Sequence, residues 1–347
     1  MKLRLDARYV PLAASAAVLA LLYAVGCAAF GGRGFTELSV VTDLFRDESA
    51  VLGIAAVGAT FVILSGGIDL SVGSVVAFTG ILIAALVFDP ALDERFVGQI
   101  NPLLPHGLHP LAAIAIALAF GAAFGTGMGA LIHLFKLPPF LVTLGGMFFV
   151  RGLAFFVRGE SLGIKHAFYT HTIQQTLRVA LTDRVDLPFT VWCFLGVFVA
   201  GLVVLHATRF GRNVYAIGGD EKSAVLMGLP VGRTKVLIYT LAGLCSAAAG
   251  VVYTFAVSKG DPLNAGMGLE LDAIASTVIG GTLLSGGVGF LAGTLMGVLI
   301  FGLIQTLINF KGDLSAWWTR IAVGVLVLTF ILLQNFVSAA SRRGRKA

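Results

Sequence analysis

The chain reads as an all-α polytopic membrane protein of about ten transmembrane helices, with broken helices and one short helix held outside the lipid. Three observations carry this reading. Mean hydropathy is +0.94 and only 12% of residues are charged, which excludes an ordinary soluble domain. Apolar runs long enough to span a bilayer recur along the chain. Basic residues collect at the two ends and in one central loop, as the positive-inside rule requires. The formal net charge of +6 follows from those clusters and is no sign of nucleic acid. The 347 residues read as a single transmembrane domain, 1–347.

Lys2, Arg4 and Arg8 precede the apolar run Tyr9–Phe30. The string Ala24-Val25-Gly26-Cys27 resembles a lipoprotein cleavage box, but the run is too long for a signal core, so it reads as an uncleaved first helix. Further spans are expected near 48–66, 69–88, 111–135, 139–157, 188–207, 235–257, 270–284, 287–308 and 317–337. An even count places both termini on one side. Arg342, Arg343, Arg345 and Lys346 at the far end name that side as the cytoplasm. The loop between the sixth and seventh spans then falls there too. The other side receives 31–47, 89–110, 158–187, 258–269 and 309–316. Among these, Thr172–Leu181 reads as an amphipathic turn at the membrane surface, and His166 and His171 as surface histidines rather than metal ligands.

Within the spans, Ser65–Ser74 (SGGIDLSVGS) interrupts an apolar run with two glycines and an acid. Asp69 is placed to cap the third span through the amide of Ser71 or Val72. The alternative is a discontinuous helix lining a solute path, where Asp69, Ser71 and freed amides meet a polar solute. Arg151 sits deep in the fifth span at a cost of roughly 2.5–3.5 kcal/mol, so it needs a polar surround or an acidic partner, for which Glu270 and Asp272 are candidates. It is either a buried structural pair or part of the path. Gln305 and Asn309 place two amides on one face of the ninth span, and Trp317 and Trp318 read as interfacial anchors. Gly121, Gly125 and Gly129, and again Gly289, Gly293 and Gly297, recur every fourth residue, the spacing of close helix packing. Cys27, Cys193 and Cys245 lack metal-ligand spacing and read as small buried hydrophobes. No cofactor is expected. LSGG occurs at Leu64–Gly67 and Leu284–Gly287, but no phosphate loop accompanies it, so the chain does not itself bind ATP.

The stretch Thr208–Lys235 (TRFGRNVYAIGGDEKSAVLMGLPVGRTK) is the charged loop between two spans. Gly218-Gly219 is expected to break the chain, Asp220 to cap a helix over Glu221–Met227, and Gly228 to end it before Pro230. Glu221 suits the positive end of that helix. A capped helix held outside the lipid is a handle offered to a cytoplasmic partner.

Four strings together resemble one family, the permease subunits of bacterial ATP-binding-cassette sugar importers of the ribose/galactose type. They are ILSGGIDLSVGSVVAFTG, LPPFLVTLGGMFFVRGLA, FGRNVYAIGGDEKSAVLMGLPVGRTK and LDAIASTVIGGTLLSGGVGFLAGTLMGVLIFGLIQ, in the family's order. HAFYTHT and the general wording are most similar to galactofuranose-type permeases. The resemblance implies an inner-membrane permease for a monosaccharide, a cytoplasmic ATPase, a periplasmic sugar-binding protein and a second permease, identical or homologous. It implies that the loop is the coupling helix, with Gly219, Asp220, Glu221, Ala224, Gly228 and Leu229 at the ATPase. Relatives often have Gly-Asn where this chain has Gly219-Asp220. Branched-chain amino acid permeases share the broad fold. A secondary transporter would need ion-coupling acids, and Asp69 is the one clear acid within the bundle; an enzyme would need a catalytic constellation that the sequence does not contain.

The topology is testable by labelling. Cysteines replacing Ser223 and Ser341 should react with impermeant reagents from the cytoplasmic side only, and one replacing Asn101 from outside only. Reaction at position 223 from the periplasm would invert the arrangement.

Overall fold

The computed structural model describes residues 10–88, 107–166, 168–169, 179–182, 185–313, 315 and 317–344. Its helices follow the apolar segments in order: α1 Val10–Phe30, α2 Leu38–Asp43, α3 Asp47–Leu64, α4 Val72–Val87, α5 Pro110–Leu134 and α6 Pro139–Val157. After a hairpin of strands β2 Val179–Thr182 and β3 Val185–Leu187 comes α7, Phe189–Leu202, which runs on through a π-helical turn to Ala207. The central loop folds into α8 Arg209–Gly219 and α9 Glu221–Leu226. Then follow α10 Val231–Val257, α11 Leu269–Ile279, α12 Leu291–Lys311 and α13 Trp317–Gly344. Strand β1, Leu162–Gly163, pairs with β4, Lys259–Gly260. Of the surface turn expected at Thr172–Leu181, residues 172–178 lie outside the described residues, and Val179–Leu181 belong to β2, not to a helix. His171 also lies outside the described residues; His166 accepts the Phe168 amide at 3.1 Å.

Every expected span contains a helix, yet only eight helices among the described residues are long and apolar enough to cross. The other two spans are shorter, α4 moderately so with 16 residues and α11 markedly so. The α11 helix has 11 residues; at about 1.5 Å each it rises about 16 Å, half of a ~30 Å hydrocarbon layer. The expectation of a continuous span at 270–284 is therefore corrected. The chain leaves α10 and runs back beside α4, with Gly260 against Gly80 and Ile81, and Gly266 against Gly73. So α11 starts inside the bundle. Likewise α4 starts only at Val72, after the bend at Ser65–Ser71.

Helix α10 is the axis of the bundle, packed along α3, α4 and α5. Close approach to α5 depends on its glycines. A side chain at Gly121 would strike the Gly243 carbonyl, one at Gly125 the Tyr239 carbonyl, and one at Gly129 would lie 2.8 Å from the Val236 Cα. The second ladder has two rungs rather than three: Gly293 and Gly297 meet the carbonyls of Gly280 and Ser276 on α11. Gly289 lies before α12, against Thr282, because left-handed Gly286 and Gly287 keep the chain out of a helix until Phe290 caps it. Both ladders face helices of this chain. The three cysteines are free and half-buried rather than fully buried.

One substitution pair tests the packing. Gly125→Leu should destabilise the detergent-solubilised protein by about 1–3 kcal/mol, the range for overpacking. Gly127→Leu, on the same helix with nothing within 4 Å, should leave the melting temperature unchanged.

Candidate functional site

Two polar features lie at opposite ends of the bundle, and a polar turn lies between them. At the end opposite the Thr208–Lys235 loop, the starts of α3, α11 and α13 and the ends of α10 and α12 surround a cavity of about 590 Å³. Its walls carry Glu48, Tyr253, Lys259, Asp272, Gln305 and Arg320. Gln305 Nε2 donates to Glu48 Oε2 at 2.8 Å, joining α12 to α3. Arg320 donates to Asp272, joining α13 to α11. The cavity thus offers donors and acceptors of both signs beside a tyrosine ring, a lining able to hydrogen-bond a polar solute.

Of the path residues expected from sequence, Gln305 lines this cavity; Asn309, one turn further along α12, is exposed and outside its lining. Asp69 is 7% exposed and also outside it. Its Oδ1 accepts the Ser71 amide at 2.8 Å and the Ser71 hydroxyl at 2.6 Å, the bond expected of a cap, although the helix itself begins one residue later with Ser71 at the N-cap. Thr143 Oγ1 donates to the Ile68 carbonyl at 3.2 Å. Arg151 hydrogen-bonds neither Glu270 nor Asp272, although Glu270 and Asp261 lie near enough to act on its charge. Its Nη1 donates to the carbonyls of Pro262 and Ala265, each at 3.0 Å, and so holds the segment that runs back beside α4. Asp272 is taken by Arg320 instead.

Glu48 and Arg320 were not singled out from the sequence, and Asp272 only as a helix-start acid or partner of Arg151; nothing in the sequence brings five helix ends together.

At the other end, Thr208 caps α8 by accepting the Gly211 amide at 3.2 Å. Gly218 and Gly219 are the last residues of α8, not a break; the chain turns at Asp220, whose backbone is extended. Asp220 Oδ1 accepts the Ser223 amide at 3.1 Å and caps α9. That bond holds the Asp220 carboxyl below the usual carboxylate range, so the cap is ionised at neutral pH and is lost only as pH falls through the lowered value. Gly228 is left-handed at φ +75, and Leu229 N returns to the Ala224 carbonyl at 3.1 Å. Ala224 and Leu229 face inward, forming a small core with Ile217 and Val231. Glu221 pairs with Lys235 of α10 at 2.7 Å. What α9 presents outward is Val225, Leu226 and Met227, at 57%, 87% and 68% exposure. Sequence reasoning named the inner residues and missed this tip, because a six-residue helix does not reveal which side its base covers.

The comparisons bear on both features. The chain is 48% identical over 302 residues to the inner membrane ABC transporter permease protein YjfF of Escherichia coli (strain K12), covering 87% of this chain and 85% of that one. It is 37% identical to the fructose import permease protein FruG of Bifidobacterium longum, covering 97% and 94%. It is 35% identical to the ribose import permease protein RbsC of Escherichia coli (strain K12), covering 85% and 86%. No solved structure matches. Residues 47–331, which contain the cavity, the bend and the loop, match the family described as branched-chain amino acid transport system / permease component, and the chain belongs to that family of transport subunits.

Proposed function

We propose that the chain is the membrane-spanning permease of an ATP-binding-cassette importer that carries a monosaccharide from periplasm to cytoplasm across the inner membrane. The observation that carries this is the loop. A two-turn helix, capped at both ends and seated on its own small core, projects three apolar side chains from an otherwise polar surface. That is a rigid plug for a groove in another protein. Relatives named as fructose and ribose import permeases, aligned over most of their length, support a sugar as the solute. The mixed polar cavity supports the same reading, since hydroxyls need donors and acceptors together. The resemblance to galactofuranose-type permeases makes that furanose the first sugar to offer.

On this reading both termini and the loop are cytoplasmic and the cavity opens to the periplasm, where a solute-binding protein delivers its load. An ATPase grips α9. A second permease, identical or homologous, completes the pathway, because cassettes close in pairs. Asp69, Ser71 and Arg151 act by shaping the broken helices, and Gln305 by meeting solute. Gly219, Asp220 and Gly228 set the form of the coupling helix, while Val225, Leu226 and Met227 make its contacts. The chain performs no covalent chemistry; ATP hydrolysis belongs to the partner.

Gly228→Val tests the coupling role. No atom lies within 4 Å of a Cβ at this position, so the penalty is backbone strain alone, about 1–3 kcal/mol for a side chain forced to positive φ. The expected outcome is a normal amount of permease in the membrane, weaker co-purification of the ATPase, and loss of ATP-dependent uptake of labelled galactofuranose, fructose or ribose. Wild-type uptake with the ATPase still attached would remove the loop from the mechanism.

A further inference from the structure

The Leu-Ser-Gly-Gly string occurs twice, and solute passage gives neither copy a role. The fold brings the two together. The Gly287 amide, in the second copy, donates to the Leu64 carbonyl of the first at 2.9 Å. A Cβ at Gly286 would lie 2.8 Å from the Gly66 nitrogen and 3.0 Å from the Gly218 Cα. One at Gly287 would lie 2.8 Å from the Gly219 Cα, and one at Gly218 would collide with the Leu64 carbonyl. Three chain segments therefore touch backbone to backbone: the end of α3, the turn before α12, and the last turn of α8. Tyr215 adds a tie from α8, its hydroxyl donating to the Gly289 carbonyl at 2.7 Å.

Contacts of this kind have no side chain to absorb movement by changing rotamer. They shift as a unit or separate. Each segment also leads to something that moves or must be moved. Helix α8 carries α9. The first string is followed by Asp69 and the shortened helix α4; the second is preceded, through Gly280–Leu283, by the half-helix α11. We propose that the paired strings and the Gly218-Gly219 end of α8 form the joint that passes movement of α9 to α4 and α11. This rests on the coupling role assigned to α9 above. Gly286, Gly287 and Tyr215 are then positioning residues for transport, outside the lining of the cavity.

The test uses the permease assembled with its cognate ATPase in proteoliposomes, with the three native cysteines replaced by alanine. A reporter cysteine replaces Ala256, which lines the cavity at the opposite end. Its rate of reaction with a maleimide is measured with and without ATP and vanadate. The unmodified joint should show a nucleotide-dependent change in rate. Gly287→Ala should retain the ATPase and its basal hydrolysis but lose that change. Gly312→Ala should keep it, since Gly312 has the same left-handed backbone, φ +77, and no atom within 4 Å. Tyr215→Phe, which removes one hydrogen bond and should fold normally, is expected to diminish the change about fivefold; it alone decides if Gly287→Ala fails to insert. A wild-type response in Gly287→Ala or in Tyr215→Phe overturns the joint, as does loss of response in Gly312→Ala. A parent protein blind to nucleotide overturns the coupling role itself, and the joint with it.

Discussion

A helix broken inside hydrocarbon leaves amides and carbonyls that lipid cannot satisfy, each costing several kcal/mol unless the protein supplies a partner. This chain breaks two, before α4 and around α11, and much of its interior follows from that. Arg151 is the clearest case. A guanidinium at membrane depth is itself expensive, and so are the stranded carbonyls of Pro262 and Ala265. Joined, each removes the other's cost. Asp69 does the same with the Ser71 amide, Thr143 with the Ile68 carbonyl, and Gly287 with the Leu64 carbonyl. The acid and the cation that first look like solute ligands are largely consumed in holding the backbone.

Satisfying backbone with backbone requires close approach, and lipid offers no hydrophobic drive to bring helices together. Glycine supplies the approach where it is needed and only there. Gly121 and Gly243 pack against each other's carbonyls across α5 and α10, whereas Gly127 on α5 and Gly145 and Gly152 on α6 meet nothing within 4 Å. The contrast separates glycines that determine a helix crossing from those that merely accompany a bilayer composition. Spacing alone does not make that distinction, as Gly289 shows: it keeps the four-residue interval but belongs to a turn.

The number of apolar segments, their order, the bend at Ser65–Ser71 and the caps of the loop helix were all legible in the sequence, because each is encoded within a few neighbouring residues. Asp220 and Gly228 act on their own turns. The half-helix α11 was not legible, since its residues are as apolar as those of a full span and only contact with α4 reveals that the preceding chain runs inward. The cavity was legible in one residue, Gln305. Glu48, Asp272 and Arg320 reach it from three different helices, an arrangement of tertiary origin. The same holds for the hydrogen bonds of Arg151: Glu270 acts on it through charge, which a sequence displays, whereas the stranded carbonyls it donates to are not visible there.

The two ends of the bundle differ in mechanical character. Around Leu64, Gly218 and Gly287 the contacts are backbone atoms in direct apposition, with almost no freedom to give. At the cavity, α3 is tied to α12 by Glu48 and Gln305, and α11 to α13 by Asp272 and Arg320. Long polar side chains beside an open cavity exchange such partners for water more readily than apposed backbone separates. A force applied at the stiff end therefore does not dissipate there. On the coupling role proposed for α9, it is taken up where resistance is least, by parting the polar pairs at the far end, which frees α12 from α3 and α13 from α11. Close glycine contacts also bound the cavity on its α4 side, at Gly260–Gly80 and Gly266–Gly73, so the compliance lies on the other side, where α12 and α13 are held by polar side chains.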